Sequence, residues 1–155
     1  MKKMSKHKSR SILSGVAGEY FVAAELSRMG YIASITLRNS QGVDILCSNS
    51  SATKSVGIQV KTCSGGLRTW VLNEKAENYY SPNLFYIFVC LNQGKESPDY
   101  FVVPSRVVSK HVTFSHKKWL ATPGRHGQKH KDNPMRKFRD DQGKYLNQWN
   151  LLGLK

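Results

Sequence analysis

Asp44 interrupts the apolar run Val43-Asp44-Ile45-Leu46, and Gln59 and Lys61 alternate with Ile58 and Val60 a short distance downstream. Both segments have the composition of short buried β-strands, in which residues two apart share a face. Gln59 and Lys61 therefore project together while Ile58 and Val60 pack behind them. Burying a carboxylate, an amide and an ammonium is costly unless the groups are paired or bind an ion. Three such groups on adjacent strands predict a site.

The elements that must position these residues follow from periodicity. Over residues 12–29 the apolar side chains Leu13, Val16, Ala17, Tyr20, Phe21 and Ala24 recur at helical spacing, and Gly30 supplies a C-terminal stop. Gly15 and Gly18 weaken such a helix by about 1 kcal/mol each relative to Ala, a cost that close approach to a neighbouring backbone or a ligand would explain. Strands are expected over 31–37, 43–47, 56–62 and 69–72, with a polar hairpin loop at 49–54. A short helix is expected over 74–80, and a central strand covered on both faces over 84–91, where every residue is apolar. Residues 100–103 read as a further strand and 105–110 as a short helix with Ser105 as its N-cap. Residues 121–139 lack periodicity and read as a loop, and 140–152 read as a terminal helix presenting Tyr145, Trp149 and Leu152. This order predicts one α/β domain with a mixed sheet and helices on both faces, bounded by a basic arm at 1–11, a core at 12–110 and a basic extension at 111–155.

The formal net charge of +14 is concentrated at the two ends of the chain. Lys2, Lys3, Lys6, Lys8 and Arg10 crowd the first ten residues; residues 11–100 hold seven basic and seven acidic side chains, and residues 101–155 hold twelve basic and three acidic ones. A neutral core with basic flanks predicts a polyanionic partner, nucleic acid above all, and the charge exceeds what solubility requires. The density of Arg125, Lys129, Lys131, Arg136, Lys137 and Arg139 matches that of phosphate contacts, which carry no sequence information. No apolar run is long enough to span a bilayer, and no secretory signal is expected, because Glu19 and Glu25 interrupt the first apolar helix. Cys47, Cys63 and Cys90 are spaced too widely for a C-x-x-C pair and read as reduced structural thiols, which predicts a cytoplasmic setting.

The ordered set of Glu19 on the first helix, Asp44 on one strand and Gln59-Val60-Lys61 on the next resembles the PD-(D/E)XK nuclease superfamily, the restriction-endonuclease-like fold, and within it the small Holliday-junction resolvases. The resemblance covers roughly residues 12–104, an αβββαβ core. It implies a divalent-metal-dependent endonuclease that hydrolyses DNA, structured or branched DNA included, with Mg²⁺ or Mn²⁺ as cofactor and DNA preferred over RNA. Asp44 would be the main metal ligand, with the Gln59 side-chain oxygen and the Val60 carbonyl completing the protein side. Lys61 would orient or activate the attacking water, and Glu19 would hold a metal-bound water. On a helical wheel Glu19 lies at the edge of the apolar arc whereas Glu25 lies about 120° away, so Glu19 is the better candidate; the alternative is a surface acid or a partner for the basic arm. Small members of the superfamily pair to cut both strands, which implies a homodimer. Two departures stand out: Val43 replaces the motif proline, and Gln59 replaces an acid, which removes one negative charge from the site. A catalytically inactive nucleic-acid-binding protein on the same fold, and a basic RNA-binding protein in which Asp44 and Lys61 merely pair, are the alternatives.

Other signals are weaker. Pro98-Asp99 lacks a following x-x-Lys strand and reads as a turn. His126 and His130 are four apart but lie among glycines and charges, with no third ligand in view. Cys63 has no evident base to activate it. Trp119, Phe138 and Trp149 suit either base stacking or a core.

Overall fold

The computed structural model describes residues 6–37, 42–65 and 67–155, with side chains from residue 11 onward. A long helix α1 (Lys6–Arg28) leads into an antiparallel run of β1 (Ile32–Ile35), β2 (Ile45–Ser48) and β3 (Ser55–Cys63). A fourth strand β4 (Thr69–Asn73) and a 3₁₀ turn at Glu74–Glu77 precede β5 (Leu84–Cys90) and β6 (Asp99–Pro104); α2 (Ser105–Ala121), β7 (Met135–Arg139) and a 3₁₀ turn at Trp149–Leu152 complete the chain. The main sheet has the order β1-β2-β3-β5-β6, with β3 and β5 parallel and the other pairs antiparallel. The strands β4 and β7 form a separate two-stranded sheet.

The apolar run at 84–91 explains this arrangement. All seven residues of β5 are buried, and alternation sends them to two different cores. Phe85, Ile87 and Val89 join Val22 and Leu26 of α1, Ile45 and Ile58 beneath one face. Tyr86, Phe88 and Cys90 join Trp70, Phe138 and the α2 residues Val108 and Val112 beneath the other. Trp70 organises the second core: its Nε1–H donates to the Val89 carbonyl at 2.9 Å, and its ring lies 5.1 Å from both Phe88 and Phe101.

Several expectations change. The helix begins at Lys6, inside the segment read as an arm, because helical hydrogen bonding extends N-terminally past the first apolar residue; Lys2 and Lys3 lie outside the described residues, as do the side chains of Lys6, Lys8 and Arg10. The helix expected over 105–110 runs on to Ala121, carrying the proposed boundary at 110 inside it. Ser105 does not cap it; its hydroxyl donates to the Ser81 carbonyl instead. Within the loop read over 121–139, Met135–Arg139 is a strand, with Arg136 and Phe138 inward and Met135, Lys137 and Arg139 outward. That period-two pattern is the one strand signal in the segment, and its partner β4 lies more than sixty residues away in the chain. The helix expected over 140–152 is replaced by turns and one 3₁₀ segment: the Asp140 carboxylate accepts the backbone N–H groups of Lys144 and Tyr145, a local turn that competes with helix.

Packing of α1 on the sheet separates the two helix glycines. A Cβ on Gly18 would sit 1.9 Å from Thr62 Oγ1 and 3.1 Å from its Cβ, so the glycine marks the close approach of α1 to β3. A Cβ on Gly15 would meet nothing within 4 Å. Thermal denaturation of Gly18→Ala should show a loss of about 1–2 kcal/mol, overpacking offset in part by better helix propensity. Gly15→Ala should match or exceed wild-type stability. Equal behaviour of the two variants would remove this explanation.

Candidate active site

The strands β2 and β3 part where the unusual polar residues lie. Their last ladder pair is Ile45 with Ile58, after which the Asp44 N–H donates to the Ile58 carbonyl at 2.8 Å. One step further along β3 the ladder has no strand partner, and the Asp44 side chain takes over: its Oδ2 accepts the Val60 N–H at 2.7 Å. A strand residue directs its N–H and C=O to the same edge, so the Val60 carbonyl opens toward Asp44 as well. The ladder ends at the Ile45–Ile58 pair, and Gln59 and Lys61 follow on β3 two residues apart on one face.

Asp44 is itself held from behind. The Thr36 N–H donates to the Asp44 carbonyl at 2.9 Å, and the Thr36 hydroxyl donates to the Val43 carbonyl at 2.6 Å. Gly42, at φ +72°, turns the chain into the strand against the Tyr79 ring; a Cβ there would lie 2.5 Å from that ring, so this turn requires glycine. Thr36 and Gly42 contribute positioning that strand periodicity does not reveal, because their role depends on a neighbour across the sheet and on a ring from the segment after β4.

Two hollows flank this junction. Asp44 and Glu19 line one, together with Gly15, Val16 and Thr36 between α1 and the sheet. Gln59 and Lys61 line the other, with Asn73, Lys75, Tyr79 and Tyr86. The structure thus joins Glu19 to Asp44 and Gln59 to Lys61, with Asp44 bridging the pairs through Val60. Burial pushes the Tyr86 hydroxyl up to about 12, and the charges of Tyr79 and Asp44 add to that rise, so the Asp44 carboxylate is felt in the second hollow too. Among the described residues no ion pair joins Asp44 to Lys61. Glu25, the other helix acid, is occupied 2.6 Å from Arg28. Lys75 and Tyr79, four apart after β4, are lining residues that the sequence analysis passed over; their helical spacing was the available signal.

The donor set at the junction consists of carboxylate, amide and backbone oxygens, which suits a hard cation that keeps several waters. Among the described residues no group of three or more His, Cys, Asp or Glu could hold a metal, so with Gln59 in place of an acid any cation would rest on at most two carboxylates, those of Asp44 and Glu19. His126 and His130 do not form such a group; the His130 ring stacks on Trp119 instead. Cys63 is not a nucleophile at neutral pH, since burial and the neighbouring Cys90 push its thiol up to about 12. Asp99 of the Pro-Asp dipeptide opens β6 and lies 3.8 Å from Arg68, away from these residues.

The basic residues divide by exposure. Arg125, Lys129, Lys131, Lys137 and Arg139 are exposed. Arg136 is a correction to the expected nucleic-acid surface: it is only 6% exposed, paired with Glu77 and donating to the Asn133 carbonyl at 2.6 Å. Strand alternation turns it inward, where it ties β7 to the turn after β4. Among the described residues no helix is long and apolar enough to cross a membrane.

The five-stranded mixed sheet, flanked by α1 on one face and by α2 on the other, is the restriction-endonuclease-like fold. Among solved structures the chain is similar to a bacterial homing endonuclease, I-Ssp6803I, with 12% identity, a TM-score of 0.55 and coverage of 92% of this chain and 91% of that one. It also matches a Holliday junction resolvase, Hjc of Archaeoglobus fulgidus, with 13% identity, a TM-score of 0.45 and coverage of 81% and 84%. No family model and no curated protein sequence matches the chain.

Removing Arg136 leaves Glu77 half-buried without its partner. Arg136→Gln should lower stability by about 2–4 kcal/mol in denaturant titration. Unchanged stability would show that the Arg136–Glu77 pair does not tie β7 to the turn after β4.

Proposed function

We propose that this chain is a divalent-metal-dependent endonuclease acting on DNA, structured or branched DNA included, with Asp44, Gln59, Lys61 and Glu19 as its site. The observation that carries the reading is the 2.7 Å bond from the Val60 N–H to Asp44 Oδ2. It fixes a carboxylate beside a strand edge that presents an amide oxygen, a main-chain carbonyl and an ammonium in succession. The fold, shared with a homing endonuclease, supports the same reading, as does the net charge of +14.

In this proposal Asp44, the Gln59 side-chain oxygen and the Val60 carbonyl would hold the cation, Mg²⁺ or Mn²⁺, with Glu19 acting through water. The cation, when bound, would offset charge on the transferring phosphoryl group and acidify water. Lys61 orients the attacking water and stabilises the charge that builds on the phosphoryl oxygens, acting from a strand whose backbone is locked by its parallel pairing with β5. Lys75, lining the same hollow, adds a second cation for the DNA backbone. The exposed Arg125, Lys129 and Lys131 hold phosphates without reading sequence, and a homodimer would allow both strands to be cut.

One observation favours a second reading, a non-catalytic DNA-binding protein: no cluster of three potential anionic or imidazole ligands exists among the described residues. Incubation of plasmid and branched DNA with Mg²⁺ or Mn²⁺ separates the two. Cleavage should occur and should fall by about 10²-fold or more in Asp44→Ala and in Lys61→Ala. Undiminished cleavage by either variant would sink the assignment, and salt-sensitive binding without cleavage would establish the second reading.

The Gln59 side chain sets the charge of the site. Gln59→Glu restores an acid and should lower the Mg²⁺ concentration needed for half-maximal cleavage. An unchanged metal requirement would place Gln59 outside the coordination sphere.

A further inference from the structure

A third hollow, of about 250 Å³ between α2 and β7, carries chemistry that the proposed site does not use. One side is an aromatic wall. The Trp119 ring stacks on His130 at 4.1 Å with 20° between planes and lies 5.4 Å from His116. His116 is 9% exposed and anchored 2.8 Å from Asp132, whose carboxyl is held below the usual range by that hydrogen bond and by the Asn133 N–H. The indole is thus braced, yet 37% of its surface remains open. Such an ordered aromatic loses little entropy when a ligand packs on it.

The opposite side is cationic. Lys137 and Arg139 lie two apart on β7 and project together from its outer face, while Arg136 and Phe138 between and beside them point inward. Their cross-strand partners on β4 are the uncharged Val71 and Thr69. Arg139 shares its charge with Asp141 only across an exposed 3.4 Å contact, which is weak in water. Among the described residues Lys137 takes part in no ion pair. The His111 ring and the Ser115 side chain, whose hydroxyl donates to the Val112 carbonyl at 3.2 Å, complete the same lining.

An aromatic surface beside a pair of cations is the combination that holds single-stranded nucleic acid, base to ring and phosphate to charge. A volume of about 250 Å³ is on the scale of a single nucleotide. Its position relates it to the proposed site. Asn73 lines the hollow that holds Gln59 and Lys61, and Met135, its register partner on β7, lines this one, so the two hollows adjoin the same short sheet.

We infer that the α2–β7 hollow binds one unpaired nucleotide of a nucleic-acid strand, with its base on the Trp119 wall and its phosphate on Lys137 and Arg139, next to the Gln59–Lys61 hollow. The inference rests on the nucleic-acid reading above and narrows it toward substrates with an unpaired segment.

Fluorescence anisotropy in EDTA, so that no cleavage intervenes, tests it with labelled oligothymidylate and with a blunt duplex of equal length. Trp119→Ala and the double variant Lys137→Gln/Arg139→Gln should each weaken oligothymidylate binding about tenfold and duplex binding less than about threefold. The double variant changes only exposed side chains, so it decides the matter even where loss of the indole disturbs α2. Equal weakening of both probes, or no weakening of oligothymidylate, would overturn the inference. Thymidine monophosphate serves as competitor: displacement at concentrations matching the oligonucleotide would make the ligand a free nucleotide and overturn the assignment to a strand. Selective oligothymidylate loss in a protein that never cleaves DNA would sustain the hollow while the nuclease reading fell; cleavage with unselective variants would do the reverse.

Discussion

Burial of β5 on both faces is the constraint from which the rest of the structure follows. Seven consecutive apolar residues cannot be shielded by a single layer, so the chain must place cover on each side of the strand. Helix α1 supplies one cover through Val22 and Leu26. The other is assembled from three separate pieces, β4, α2 and β7, drawn together around Trp70, Phe88 and Phe138. The Phe88 and Phe138 rings stack at 4.4 Å, which pins the C-terminal strand to the central one. The basic C-terminal segment therefore joins both cores, the second through Phe138 and the first through Leu152 and Leu154.

That constraint also places the polar residues of β3. Strand β3 runs parallel to β5, so Gln59 and Lys61 stand beside Tyr86 and Phe88 on the face covered by the second layer. The cover is incomplete there, because the 3₁₀ turn at Glu74–Glu77 is short, and the gap beside it is the hollow these side chains line. On the far side of the sheet, α1 approaches closely at Gly18 and stands away at Gly15, where the hollow containing Glu19 and Asp44 opens. Where β2 leaves β3, Asp44 lines one opening and Gly42 the other. Asp44 is at that point because a carboxylate can satisfy the Val60 N–H that the departing strand leaves behind, a bond that an apolar residue could not make.

The strand signals of the first hundred residues were readable because they are local. The alternation in 56–62, the unbroken apolar run at 84–91 and the glycine after α1 each encode one element without reference to a partner, and each lies within a residue or two of its observed bounds. Asp44, Gln59 and Lys61 were conspicuous for the same reason, being polar residues in segments whose neighbours are apolar. Beyond residue 105 the sequence misled in both directions. The helix α2 carries Lys110, Lys117 and Lys118 among its apolar residues, which shortened its apparent length, and the strand β7 is three-fifths basic, which concealed its alternation.

By itself, then, the sequence determined the elements with their own periodicity, the identity of the oddly placed polar residues and the excess of positive charge. Tertiary structure alone decided that Arg136 is a buried structural ion rather than a phosphate contact, that β7 completes a sheet with β4, and that Trp119 stands exposed in a braced stack beside Lys137 and Arg139. It also decided that Asp44 closes the fork between β2 and β3 through the Val60 N–H and lines a hollow with Glu19. The division has one physical cause. Periodicity records which face of an element is buried, whereas pairing between distant strands and the direction of a long basic side chain depend on partners that only the folded chain brings into reach.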